Sequence, residues 1–245
     1  MSPKFREFLS SATSSPHVEA HAQQAEAARY ALIRRLSPSL RHHLVRYLQP
    51  IGMIYGVMDH RLSTPDPNLR NLHQDAANIN KFAKAALAQC TDISSWLAPE
   101  EDTLVPVGQG VQECVSLLAG NLNFRGYQVI NEVGDADFCL RRDSLRCVLA
   151  AALLVVTDQL DEPAVLTLSN SVETDHLTLQ IQVSKSTRLH GEIYNDGYRK
   201  LTWTDVQAIA AVEDVALAVT VNGVTMSFAI EPANPARKLP SYPTH

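Results

Sequence analysis

Two runs of heptad spacing, separated by a turn with two prolines, constrain this chain more than any other feature. Leu40, Leu44, Tyr47, Ile51, Ile54 and Met58 step by alternating fours and threes, the spacing of an apolar seam on a helix. Ser63-Thr-Pro-Asp-Pro-Asn68 interrupts the pattern with turn and capping residues. Leu69, Leu72, Ala76, Ile79, Ala83, Ala86, Cys90, Ile93 and Leu97 then resume it as far as Pro99. Two long helices joined by a short loop form an antiparallel hairpin, expected over residues 24–98. Each helix needs apolar neighbours along more than one line, so the economical arrangement is a homodimer that completes a four-helix bundle, the alternative being a satellite hairpin packed on the second domain.

The rest of the chain has a different rhythm. Residues 1–23 are rich in Ser, Ala, Gln and His and read as a loosely ordered leader, and Pro99-Glu-Glu-Asp102 as a polar linker. From 103 to 231 short apolar runs alternate with helical ones. Strands are expected at Leu104–Val107, at Tyr127–Val133 and Ala136–Leu140 around a Gly134-Asp135 turn, and at Ala164–Ser169 and His176–Ser184. Helices are expected at Gly108–Leu122, from an Asp143 cap to about Leu160, and from Thr202 to about Glu213. Asn222-Gly223 marks a hairpin between Ala216–Val221 and Val224–Ile230. Residues 232–245 carry Pro232, Pro235, Pro240 and Pro243 and read as a disordered tail. The expected class is therefore α+β: a helical hairpin followed by an α/β sandwich domain.

Composition narrows the function. A net charge of −5 leaves no electrostatic footprint for nucleic acid. The longest apolar run, Cys147 to Val156, is too short to span a bilayer, and the residues from Met1 to Arg6 hold no apolar signal core; a cytoplasmic protein without membrane partners is expected. Cys90, Cys114, Cys139 and Cys147 stand apart and are expected as buried thiols rather than a disulfide or zinc framework. His17 and His21 share a helical face without a third ligand, so no metal site is expected. Neither a Gly-x-Ser-x-Gly elbow nor a phosphate loop occurs, and Trp96, Trp203 and Tyr198 are expected as packing residues.

The chemistry that remains lies in His42-His43. At about 100° per residue, His42 falls opposite the Leu40–Met58 seam, in a stripe with Arg35, Arg46, Gln49 and His60, while His43 sits at the seam's edge. An exposed imidazole on a rigid helix offers a neutral nitrogen near pH 7 and can take up a phosphoryl group. The ordinary alternative is a solvated surface histidine.

Leu40-Arg-His-His-Leu-Val-Arg-Tyr-Leu-Gln-Pro-Ile51 resembles the phosphoacceptor box of bacterial sensor histidine kinases, with His42 in the acceptor place and Leu44, Leu48, Pro50 and Ile51 in register. Leu145-Arg-Cys-Val-Leu-Ala-Ala-Ala-Leu-Leu-Val-Val-Thr-Asp158 is similar to the helix that bears that family's Asn box. The order of hairpin, linker and α/β domain is also the family's. The departures are equally specific. Ala151 and Val155 stand where the resemblance puts the two Asn residues, and valine carries no oxygen for a hard cation. Ser184-Lys-Ser-Thr-Arg188 stands in place of the Asp-x-Gly-x-Gly segment, and no glycine-rich box precedes Asp205. His43 replaces the acidic neighbour of the acceptor, and Arg46 and Tyr47 replace the residues that orient water for a phosphatase.

A degenerate ATPase-like domain beside a histidine-bearing hairpin is similar to the dimeric histidine phosphotransferases of bacterial phosphorelays. That resemblance implies a phosphotransferase that relays a phosphoryl group between receiver-domain aspartates through His42 and is not an ATP-dependent kinase. His43, Arg46, Gln49 and Arg35 would flank the docked receiver. It implies no cofactor of the chain's own, the receiver supplying Mg²⁺, and response-regulator receivers as partners. Two other readings stand beside it: a non-catalytic dimeric adaptor that binds a response regulator or a kinase, and a divergent kinase that still holds nucleotide.

Overall fold

The computed structural model describes residues 16–98, 103–134, 138–173, 175–185 and 197–232. The expected linker at 99–102, the Asp135 half of the expected turn, the Ser-Lys-Ser-Thr-Arg segment beyond Lys185, and the tail after Pro232 lie outside these residues. Helix α1 runs from Pro16 to Leu62 and α2 from Leu69 to Leu97. Asn68 caps α2, its side chain accepting from the backbone N–H groups of Arg70 and Asn71 at 3.0 and 3.2 Å. The hairpin is thus present, and its first helix begins eight residues before the expected boundary at Gln24.

Following the hairpin come β1 (Leu104–Pro106), α3 (Val107–Phe124), β2 (Gln128–Asn131), β3 (Phe138–Arg141), α4 (Arg142–Gln159), β4 (Ala164–Glu173), β5 (His176–Lys185), α5 (Trp203–Val212), β6 (Ala216–Thr220), β7 (Gly223–Ala229) and β8 (Glu231–Pro232). They form an α/β sandwich. A five-stranded mixed sheet runs in the order β2-β4-β5-β7-β6, with only β2 and β4 parallel. The strands expected on either side of Gly134 do not pair as a hairpin. β2 joins the large sheet, whereas β3 joins β1 and β8 in a separate antiparallel sheet. The parallel β2–β4 pair requires a crossover, and β3 with α4 supplies it. Gly223 leaves the β6–β7 turn because its backbone passes close to β5: an added Cβ would come within 2.0 Å of the Ile181 carbonyl oxygen.

One face of the large sheet is apolar, through Leu166, Leu168, Leu179, Ile181, Met226 and Phe228, and the helices cover it. α4 is buried from Leu145 to Thr157 except at the half-buried Cys147, and within that stretch only Arg146 and Thr157 are polar. Full burial of Leu145, Leu149 and Leu153 contributes roughly 2 kcal/mol each, which outweighs the few tenths of a kcal/mol that Val155 and Val156 each cost the helix. Asp143 lies in its first turn, but the capping position is Arg141, with no side-chain cap bond. α5, in contrast, starts on a full capping box between Thr202 and Asp205.

The first half of α1 does not continue the hairpin seam. Ala25, Ala28, Leu32, Leu36 and Leu40 are buried against the α/β unit, chiefly on α5 with support from α3 and α4. Charged residues tie the same stretch down. Arg29 pairs with Glu213, which also accepts from Ser144 Oγ at 2.7 Å. Arg35 binds Asp158 through both terminal nitrogens, at 2.6 and 3.1 Å, and Arg125 reaches the same carboxylate at 3.0 Å.

Candidate functional site

Beyond Leu40, α1 leaves the α/β unit and enters the hairpin proper. Leu44, Tyr47, Ile51, Ile54 and Met58 turn half-buried toward α2. His42 lies at this change of partner, exposed, and Arg41, Arg46 and Gln49 are exposed near it. Pro38 and Pro50 lie inside α1 on either side, each lacking the N–H that would close a helical hydrogen bond. Arg46 extends over the Tyr47 ring, 5.5 Å from its centroid. Arg35 is the exception to the expected stripe. It is only 7% exposed and held by Asp158, so it does not flank His42 at the surface; a long-range carboxylate has claimed a side chain that helical periodicity alone assigns to solvent.

His43 is half-buried between α1 and α2, its ring centroid 6.4 Å from that of His42 and tilted by 67°. Burial pushes its pKa below the ordinary histidine value, and the electrostatics of the neighbouring His42 and Arg46 act the same way; Asp92 and Gln89 of α2 oppose them. The imidazole is therefore biased toward its neutral form.

A polar chain leads inward from there. Asp92 accepts from Arg146 at 2.7 Å, and Arg146 also donates to Ser95 Oγ at 2.8 Å and Glu113 Oε2 at 2.8 Å. Glu113 is shared with Arg142, and these two arginines hold its carboxyl below the usual range against the opposing effect of burial. Neither Gln89, Asp92 nor Arg146 is evident as a site neighbour in the sequence. The only signal is an arginine embedded in the apolar run of α4.

On its other side His42 opens onto a groove of about 300 Å³ between α1 and α3. Pro38, Ser39, His42 and His43 line one wall, and Leu117, Gly120, Asn121 and Phe124 the other. The α3 wall went unforeseen in the sequence, although Gly120 in the interior of an otherwise good helix is a visible anomaly.

Ala151 and Val155, the positions that the resemblance gives to the Asn box, are both fully buried. Neither side chain has an oxygen, so neither can ligate a hard cation. Among the described residues no cluster of three or more His, Cys, Asp or Glu side chains is arranged to hold a metal ion, and no helix is long and apolar enough to cross a membrane. Burial raises the Cys114 and Cys147 pKa values, the latter to about 12, whereas Cys90 is exposed rather than buried. Trp96 and Trp203 do pack: Trp96 is buried beneath Arg146, and the Trp203 indole donates to Gln159 Oε1 at 2.7 Å.

No protein-family model and no curated protein matches the chain. Solved structures do. A histidine kinase from Burkholderia phymatum is similar over 82% of this chain and 99% of its own, at 13% identity and a TM-score of 0.38. A bacterial phosphotransferase is similar over 83% and 95%, at 11% identity and 0.35. The histidine kinase ThkA, solved in complex with the response regulator protein TrrA, is similar over 93% and 69%, at 13% identity and 0.37. Each of these is a likeness of overall arrangement, at a TM-score below 0.5. One expectation is corrected: the missing motif residues set ATP-dependent kinase activity aside, but the solved structures similar to the chain include histidine-kinase catalytic domains, so ruling out ATP is not supported.

Proposed function

We propose that the chain is a two-component signalling protein whose α1 surface around His42 docks the receiver domain of a response regulator. The observation that carries this reading is the position of His42: an exposed imidazole at the point where α1 passes from the α/β unit to the hairpin, with Arg41 and Arg46 beside it and an open groove at its back. Arg41 and Arg46 favour an anionic partner face, and guanidinium groups suit phosphoryl oxygens. Mg²⁺ in this reading belongs to the receiver. The partner of the hairpin's remaining apolar surface is a second copy of the chain.

The exposure of His42 favours a second reading, in which it accepts and passes on a phosphoryl group. The lone pair of a neutral imidazole nitrogen forms the N–P bond while the P–O bond to the donor breaks, its electron pair leaving with the donor oxygen; the other ring nitrogen then releases its proton to water. His43, Arg46 and Gln49 border the reacting group and would position it and neutralise its oxygens.

Purified wild type and His42→Gln, each incubated with a panel of phosphorylated receiver domains from the same cell and separately with Mg-ATP, test both readings. Receiver binding with acid-labile label on wild type alone supports docking and transfer, and the productive donor identifies its source. Binding without label on either protein retains docking and refutes transfer. Failure of every receiver to bind refutes the proposal.

A further inference from the structure

Three features of the groove behind His42 converge. Gly120 sits within α3, four residues before its end, where glycine is unfavourable relative to alanine, yet nothing among the described residues requires its missing side chain: an added Cβ would have no atom within 4 Å. Gly110 of the same helix contrasts with it, since a Cβ there would come within 2.5 Å of Leu145 and 2.8 Å of Val105. Next to Gly120, Asn121 Oδ1 is shielded from water and has no hydrogen-bond partner among the described residues, an expensive state for a buried acceptor. Leu117 and the exposed Phe124 complete an apolar wall on either side of the glycine.

We infer that this groove is a docking pocket for the same receiver domain, receiving an apolar side chain that projects from beside its phosphorylated aspartate. The inference rests on the docking reading above and gives it a second contact surface, on the α/β unit rather than the hairpin. Gly120 keeps the floor of the pocket open. Rotation of the Asn121 amide turns its oxygen toward an N–H of the incoming segment. The groove-lining residues include no carboxylate, and Arg41 and Arg46 are exposed on α1 around His42, so the charge of the opening complements an acidic receiver face. Partner choice is then set on α3 as well as on α1: a receiver must present its aspartate to His42 and an apolar group to Gly120 together.

Dissociation constants for the receiver domains, measured on the full chain, test this. Gly120→Phe fills the pocket and is expected to weaken binding by about tenfold or more. Asn121→Leu removes the unpaired amide with little change of volume and is expected to weaken it less, in the same direction. Thermal unfolding of each variant accompanies the binding curve, and Asn121→Leu carries the test should Gly120→Phe fail to fold. Wild-type affinity in the folded variants overturns the pocket while leaving the His42 docking surface intact. If wild type binds no receiver at all, both readings fall.

Discussion

The Arg146 guanidinium lies 4.5 Å from the centroid of the Trp96 ring, joining the last turns of α2 to the centre of the α/β unit. Arg146 is buried to 2% exposure, and its charge is met by Asp92 and Glu113, from two different elements. An arginine so placed stabilises only while its partners are kept, because any one of the three left alone is a poorly solvated charge.

Replacing Arg146 by leucine should therefore destabilise the fold strongly. The loss of a buried ion-pair partner typically costs about 3–5 kcal/mol. Here Glu113 keeps Arg142 as a partner, and Asp92 and Glu113 keep side-chain exposures of 30% and 20%, which together place the expected loss near the lower end. Chemical denaturation of Arg146→Leu against wild type measures it directly. A change below about 1 kcal/mol would mean that the network is no more than a surface ion pair in effect.

What was legible in the sequence is what periodicity and turn chemistry encode. The hairpin, the Asn222-Gly223 turn, the α4 core helix and the exposure of His42 all follow from spacing, since each depends on neighbours in the chain. Arg35 shows where that reasoning stops. Seven residues before His42, it shares the same helical face, but Asp158 lies 123 residues further along and only the tertiary fold brings it near. The same holds for the groove, whose second wall belongs to α3, and for β2 and β3, adjacent in sequence yet divided between two sheets.

His43 gives the fold a specific response to acid. Its pKa is lowered in the folded chain, so between that value and the ordinary histidine pKa the unfolded chain binds more protons than the folded one. Stability is then full above the ordinary histidine pKa and declines as pH falls through the window below it. The groups facing the ring are His42 and Arg46 on α1 and Gln89 and Asp92 on α2. Thermal midpoints measured between pH 7.5 and about pH 5 should fall more steeply for wild type than for His43→Gln, which cannot take up the proton. Parallel slopes would assign the acid response to other groups.

Hairpin contacts leave a second apolar line uncovered. Val45, Leu48, Gly52, Tyr55 and Leu62 are exposed along α1, one residue out of phase with the half-buried Leu44–Met58 seam. On α2, Leu69, Ala76, Ala83, Leu87 and Cys90 are exposed at the same kind of spacing, with Leu69 and Leu87 at 76% and 69%. Two heptad lines on one hairpin are the pattern of a helix pair that meets another pair, and a twofold axis lets each copy cover the other with the same surface. Light scattering should give a particle of twice the 27.0 kDa chain mass. Leu48→Glu with Tyr55→Glu places two carboxylates on this line while leaving the Leu44–Met58 seam untouched, and should return the particle to a single chain that keeps its helical content. A wild-type chain that runs as a monomer at micromolar concentration would refute the twofold bundle, and the exposed line would then need a different partner.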